Sequence, residues 1–251
     1  MDCGESDDME KLAYFVLKDP TERGDACGEA LLEHAAPRLL EAPFVRGLTL
    51  EIPDLADDPR VTSSHLAGRG RELGGAAFVW VDSVDQRAFV EDALSGIGER
   101  LAGYLVTESV VQPYAQRSWP DGEKSPGVTQ LVTFPQPADL SDEAFFARWH
   151  DRISKMSFVL HPTRTRYVRN VVARVLTPEA PAWRGLVVER WGSLDEWLDP
   201  TQLYSSQSLF DEMQAVGANY ARNTMSQREG KELKPHKLLP NGKFDLDQWN
   251  P

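Results

Sequence analysis

The sequence predicts an α+β protein made of two tandem β-α-β-β-α-β units, each following the ferredoxin-like plan and packed sheet to sheet. Three observations carry this reading. Apolar runs of strand length alternate with helix-period segments in the same order twice. Prolines and helix-capping residues close the elements at matching places in both halves. A nearly constant offset aligns the halves: at 119 residues Phe15 meets Phe134, Pro43 meets Pro162 and Leu48 meets Tyr167, and at 110 residues Asp82–Asp85 meets Gly192–Asp195. Each unit would carry both helices on one sheet face, so the other face needs cover, which a second sheet supplies. The space between two such sheets is a natural place for an apolar pocket.

Taken in order, residues 1–9 read as a disordered leader. Leu12–Leu17 is an apolar and aromatic strand stopped by Asp19-Pro20. Gly24–Leu40 has helical spacing through Leu31, Leu32, Ala35 and Leu39, with Pro37 expected to end or kink it. Phe44–Ile52 is the second strand. The polar stretch Asp54–Leu73 is a long connection or lid, and Gly75–Val81 is the third strand. Ser83 and Gln86 form a capping-box pattern at the start of a helix running to about Leu101, and Tyr104–Val111 alternates as a fourth strand. This unit covers 10–116. A turn-rich linker, 117–127, leads to the second unit, 128–230.

There, Val128–Phe134 is a strand, and Ser141 caps a helix carrying Phe145, Trp149 and Ile153 as one stripe. Thr165–Leu176 and Gly185–Trp191 are strands. Ser193–Trp197 opens a helix that Pro200 interrupts and Ser206–Gly217 resumes, and Tyr220–Ser226 is a weak fourth strand. The tail, 231–251, reads as extended packing or disorder.

Composition narrows the function classes. The 251 residues carry a formal charge of −12, which opposes a surface built for nucleic acid or anionic lipid. The N-terminus lacks the apolar core of a signal peptide, no run is long enough to span a membrane, and the two cysteines, Cys3 and Cys27, form no framework. Together these point to a cytoplasmic protein with reduced thiols. No G-x-S-x-G, P-loop or dinucleotide fingerprint is present, which favours chemistry without a cofactor, or no chemistry. His150 and His161 have no ligand spacing on one helix face and no completing cluster, so no metal site is expected.

The helix copies suggest a site. Where the second has Phe145, Trp149 and Ile153, the first has Ala26, Ala30 and His34. Bulk gives way to small residues and one imidazole. His34 is therefore a candidate general base, since an unperturbed histidine titrates near neutrality. The competing reading is a structural histidine bonded to a backbone carbonyl. Tyr14 and Tyr167, on strands, could orient a substrate or be core aromatics. Arg166 and Arg169 could hold a carboxylate, but alternation puts them on opposite faces.

The strand Leu131–Phe134, the helix start Leu140–Trp149, the strand Arg166–Asn170, Glu189–Trp191 leading into Ser193–Trp197, and His34-Ala-Ala-Pro37 together resemble the EthD family of the dimeric α+β barrel superfamily. The resemblance covers roughly residues 10–230. It implies paired ferredoxin-like units, here supplied by one chain as a monomeric pseudo-dimer or a homodimer. It also implies small hydrophobic, aromatic or polyketide-like ligands handled without metal or organic cofactor, as in dehydratases, cyclases, isomerases or pathway helper proteins. The family's helix histidine corresponds to His34, whereas the second copy has Ile153. The expectation is a cofactor-free lyase or isomerase using His34, with Tyr14, Tyr167 and Arg169 around the substrate; the alternative is a non-catalytic binding or accessory protein.

Overall fold

The computed structural model describes residues 9–21, 26–53, 58–60, 72–209 and 211–212. It is a mixed α+β protein, with seven antiparallel strands among the described residues. Two compact units partition the chain: Met1–Thr62, Arg69–Glu108 and Val171–Ala182 form the first, and Ser63–Gly68, Ser109–Asn170 and Trp183–Pro251 the second.

The first unit contains β1 (Glu10–Leu17), helix α1 (26–41), β2 (Val45–Glu51), β3 (Leu73–Val81), helix α2 (84–94) and the first part of β4 (Arg100–Gln112). This is the β-α-β-β-α-β succession expected for the first half. The strands lie in the order β2-β3-β1-β4, and the end of β6 (Arg164–Val175) runs beside β4. There the amide of Leu176 donates to the carbonyl of Gly103 at 2.8 Å.

α1 is three consecutive segments, Ala26–Ala30, a π-wound turn Leu31–Ala35, and Ala36–Glu41. It does not end at Pro37. The amide of Ala36 reaches back to the carbonyl of Leu31, five residues earlier. That wider turn opens the helix just ahead of Pro37, whose ring would otherwise crowd the preceding turn. Leu31, Ala35 and Leu39 of α1, with Val90 and Leu94 of α2, pack on Leu12, Tyr14 and Val16 of β1 and Ala77, Val79 and Val81 of β3. These strand residues alternate, so all point to the helix side.

α2 starts with a 3-10 turn, Val84–Gln86, and continues as Arg87–Leu94. The expected capping box is formed: the Ser83 amide donates to Gln86 Oε1 at 3.1 Å, and the Asp85 amide donates to Ser83 Oγ at 3.2 Å. The helix stops at Leu94, not near Leu101. Gly96 takes a left-handed conformation (φ +74°), and a Cβ on Gly98 would lie 2.6 Å from the Leu17 carbonyl oxygen. These two glycines turn the chain tightly back onto β1, so β4 begins at Arg100, ahead of the expected Tyr104.

The opposite face of this sheet is also buried. Phe15, Phe78 and Tyr104 meet edge to face, at 6.3 and 6.1 Å between centroids. Beside them Lys11 pairs with Glu108 at 2.6 Å and lies over the rings of Phe78 and Trp80.

In the second unit the end of β4 is followed by β6, β7 (Gly185–Trp191) and β5 (Val128–Phe134). Helix α3 is again three segments: Asp142–Phe146, a π-wound Ala147–Ile153, and Ser154–Leu160. Ser141 caps it, accepting from the Ala144 amide at 3.2 Å. Phe145 and Trp149 pack against Phe134 of β5 at 6.2 and 4.8 Å between centroids. α4 (Leu194–Leu198) is capped by Ser193, and Asp199 caps α5 (Pro200–Leu203), the break at Pro200 falling as expected. No described helix is long and apolar enough to cross a membrane. Residues 1–8 of the leader with Cys3, most of 54–73, half of 206–217, the strand expected at Tyr220–Ser226 and the tail lie outside the described residues.

Candidate functional site

The π turn decides which residues of α3 face the sheet. An uninterrupted α-helix would carry the stripe Phe145, Trp149, Ile153. Instead the wider turn advances the register by one, and the buried positions are Phe145, Trp149, Ser154, Ser157 and Leu160. Ile153 is left half-buried. Two serines thus stand where an apolar stripe was expected, and the strands beneath are polar to match.

Ser154 is the hub. Its Oγ lies 2.9 Å from Tyr167 Oη and accepts from an Arg169 guanidinium nitrogen at 3.2 Å. The structure therefore brings together two of the residues singled out in the sequence, Tyr167 and Arg169, and both point to the helix side of β6. Three residues along α3, Ser157 Oγ accepts from Arg164, whose side chain is fully buried and pairs with Glu189 of β7 at 2.6 Å. The Arg164 guanidinium lies 4.3 Å from the centroid of the Tyr167 ring and 5.1 Å from that of Phe158. Its Nε donates to Gln112 at 3.1 Å. Hydrogen bonds to Ser157 and Gln112 satisfy Nη1 and Nε of this buried ion pair, while Nη2 is buried with no partner.

His150 sits on the π turn, its ring 4.7 Å from Trp149 and 5.3 Å from Phe146. Burial first, and then the positive charge of Arg169, hold its pKa below the usual histidine value. Its Nε2 is buried with no protein partner, and so is Arg169 Nε. Burial, reinforced by the Glu189 carboxylate, pushes the Tyr167 phenol upward, so it stays protonated at neutral pH. The cluster thus offers a neutral imidazole, a cation and a phenol on one helix–sheet layer.

In the first unit, Tyr14 lies buried in the helix-side core and donates to Glu91 at 3.1 Å, with Arg87 on the same carboxylate at 3.0 Å. Burial, then Glu91, raises its pKa. His34 is exposed on the π-wound turn of α1 and makes no hydrogen bond or ring contact with the described residues. The inward position of that turn belongs to its neighbour Ala35. At the 119-residue offset in sequence, Ala35, Leu48 and Leu50 stand opposite Ser154, Tyr167 and Arg169, and all three pack into the apolar core of the first unit. The structure does not bring His34 and Tyr14 together.

Sequence reasoning set His150 aside, as lying on another side of the helix from the position of the family's histidine, and missed Ser154, Arg164 and Glu189 as site residues. The available signal was Ser154 and Ser157, two polar residues three apart in a helix, which a strict 3.6-residue period assigns to the outside. Arg166 takes the opposite face of β6 from Arg169, as alternation required, and lies over the ring of Tyr114 at 4.9 Å. Among the described residues no three His, Cys, Asp or Glu side chains form a metal-ligand set.

No described family and no curated protein matches the sequence. Among solved structures, the chain is similar to two proteins each described as a "putative monooxygenase". One, from Lactobacillus acidophilus NCFM, shares 8% identity over 86% of this chain and 87% of its own, with a TM-score of 0.39. The other, from Fusobacterium nucleatum subsp. nucleatum ATCC 25586, shares 10% identity over 83% of this chain and 85% of its own, with a TM-score of 0.46.

Proposed function

We propose that this chain is a tandem ferredoxin-like protein of the dimeric α+β barrel kind, akin to the EthD family. On this reading it acts without a cofactor on a small, mainly apolar molecule bearing a carbonyl or phenol. The helix–sheet layer of the second unit is its site. His150 Nε2 takes a proton from carbon beside the carbonyl, and the negative charge that develops on oxygen is held by Arg169. Return of the proton elsewhere, or loss of a leaving group, makes the outcome an isomerisation or a dehydration. Ser154 and Tyr167 fix the guanidinium. The observation that carries this reading is the pair of buried, unpartnered nitrogens, His150 Nε2 and Arg169 Nε, because buried polar atoms without partners are rare and call for an explanation. A base whose pKa lies below neutrality is ready to accept a proton at pH 7. The recurrence of a π turn in both helices supports the tandem reading.

The probe is deuterium incorporation beside the carbonyl of acetophenone, followed by NMR in D2O. The protein should accelerate exchange. His150→Gln should cost roughly 10²-fold or more, and Arg169→Gln should also slow it. His34→Gln should retain the rate. Full exchange by His150→Gln, or loss in His34→Gln alone, would return the proton transfer to His34. Binding of acetophenone with no exchange would instead make the chain a binding or accessory protein.

A further inference from the structure

We infer a second small-molecule subsite, for a carboxylate, on the other face of the second unit's strands, built by the segment after β4. The chain leaves β4 and folds Tyr114, Trp119 and Ser125 toward β6 and β7. Tyr114 and Trp119 meet edge to face at 5.0 Å. On the Tyr114 ring lie two guanidiniums, Arg166 of β6 at 4.9 Å and Arg190 of β7 at 5.9 Å, and Arg190 also lies 5.8 Å from Trp119.

Two independent features point to a ligand. The first is charge. Arg190 is 8% exposed, and among the described residues its guanidinium donates only to neutral oxygens, Ser125 Oγ and the Pro126 carbonyl. Among the same residues the Arg166 guanidinium has neither a carboxylate nor any hydrogen-bond acceptor and lies over the Tyr114 ring. Two guanidiniums are thus gathered on one aromatic platform without a counter-charge, in a chain whose net charge is −12. Of the acids in the segment, Asp121 pairs with Arg117 at 2.5 Å and is itself 94% exposed, and Glu123 is exposed. Glu189, next to Arg190 in β7, points to the helix side and pairs with Arg164. The second feature is hydrogen bonding. Tyr114 Oη and Arg166 Nε are both buried and have no protein partner.

A carboxylate answers both. It accepts from Arg166 in the planar, two-pronged geometry that a guanidinium offers, takes the Tyr114 hydroxyl as a further donor, and supplies the missing negative charge to the pair. The aromatic platform beside it fits a ligand whose carboxylate is attached to a ring or another flat apolar group. This site uses neither His150 nor Arg169, and it stands or falls separately from the proton-transfer reading.

Isothermal titration of the full chain with benzoate, acetate and inorganic phosphate tests it. Benzoate should bind more tightly than acetate, and its affinity should fall as sodium chloride is raised. Arg166→Gln should weaken benzoate about 10-fold or more, the loss expected for a charge-assisted hydrogen bond. Arg166→Lys, which keeps the charge but not the fork, should recover only part. Tyr114→Phe, a minimal change that guards against a folding defect, should weaken it severalfold, while Arg169→Gln should leave it unchanged. Absence of benzoate binding, binding indifferent to both Arg166→Gln and Tyr114→Phe, or loss only in Arg169→Gln would overturn the proposal. Preference for phosphate over benzoate would overturn the carboxylate assignment.

Discussion

His150 couples the candidate site to pH. Its pKa is lowered in the folded protein, first by burial and then by Arg169, so the unfolded chain binds the proton more readily than the folded one. The sign follows: this contribution to stability is complete above the ordinary histidine value of about 6.5 and is lost as pH falls through that value toward the folded one. Denaturant midpoints measured at pH 7.5 and pH 5 should therefore differ less for His150→Gln than for the parent chain. An equal or larger acid loss in the variant would mean that His150 is not the group held neutral. In exchange experiments on the parent chain, the rate should decline on the acid side at a pH below 6.5, where the base becomes protonated. Tyr167 behaves in the opposite sense and contributes no change near neutrality, since burial keeps its phenol protonated.

Helices and strands were read from the chain with uneven success, and the physical reasons differ. β5 and β7 fall on their expected bounds because prolines, glycines and apolar runs mark them locally. The caps at Ser83, Ser141 and Ser193 were equally legible, being chemistry between residues three apart. The end of α2 was not, because Leu101 continues the helical spacing while the left-handed Gly96 and the crowding of Gly98 against β1 belong to the tertiary fold. The π turns were invisible too, and with them the polar layer: no propensity signals one extra residue in a turn, yet it moves Ser154 inward and Ile153 outward. Close packing around Gly185 gives a direct test. A Cβ there would lie 2.3 Å from the Phe134 ring and 2.9 Å from Trp149, so Gly185→Ala should destabilise by about 1–3 kcal/mol, the usual cost of overpacking, and shift the thermal midpoint down. An unchanged midpoint would mean that α3 can move away from β7 without cost.

Across the whole molecule, the division of the chain does not follow the order of its elements. β4 begins in the first unit and leaves it after Glu108, whereas β6 enters from the second and crosses after Asn170. The full length of β6 was plain from its apolar and β-branched run, expected at Thr165–Leu176 and found at Arg164–Val175, but that of β4 was not, because the glycine turn that starts it at Arg100 leaves no local trace. The two units share covalent strands with hydrogen bonds at both ends, Gln112 to Arg164 within the second and Leu176 to Gly103 within the first. Native-state hydrogen exchange should find the β4 amides up to Glu108 opening with β1–β3 and those beyond it with β5–β7. A single opening energy along all of β4 would refute that division.

The π turn in α3 also has a meaning in terms of genetic change. It holds one residue more than an α-helix needs to span the same length, so removing a single codon between Ala147 and Ile153 would restore ordinary winding. Made after Trp149, that deletion would leave Ser154 over Tyr167 and Arg169, because Ser154 would then follow Trp149 by four residues, the ordinary spacing of an inward stripe. If the codon removed were that of His150, one mutational step would take away the imidazole and the wide turn together and leave the serines and the strands beneath them in register.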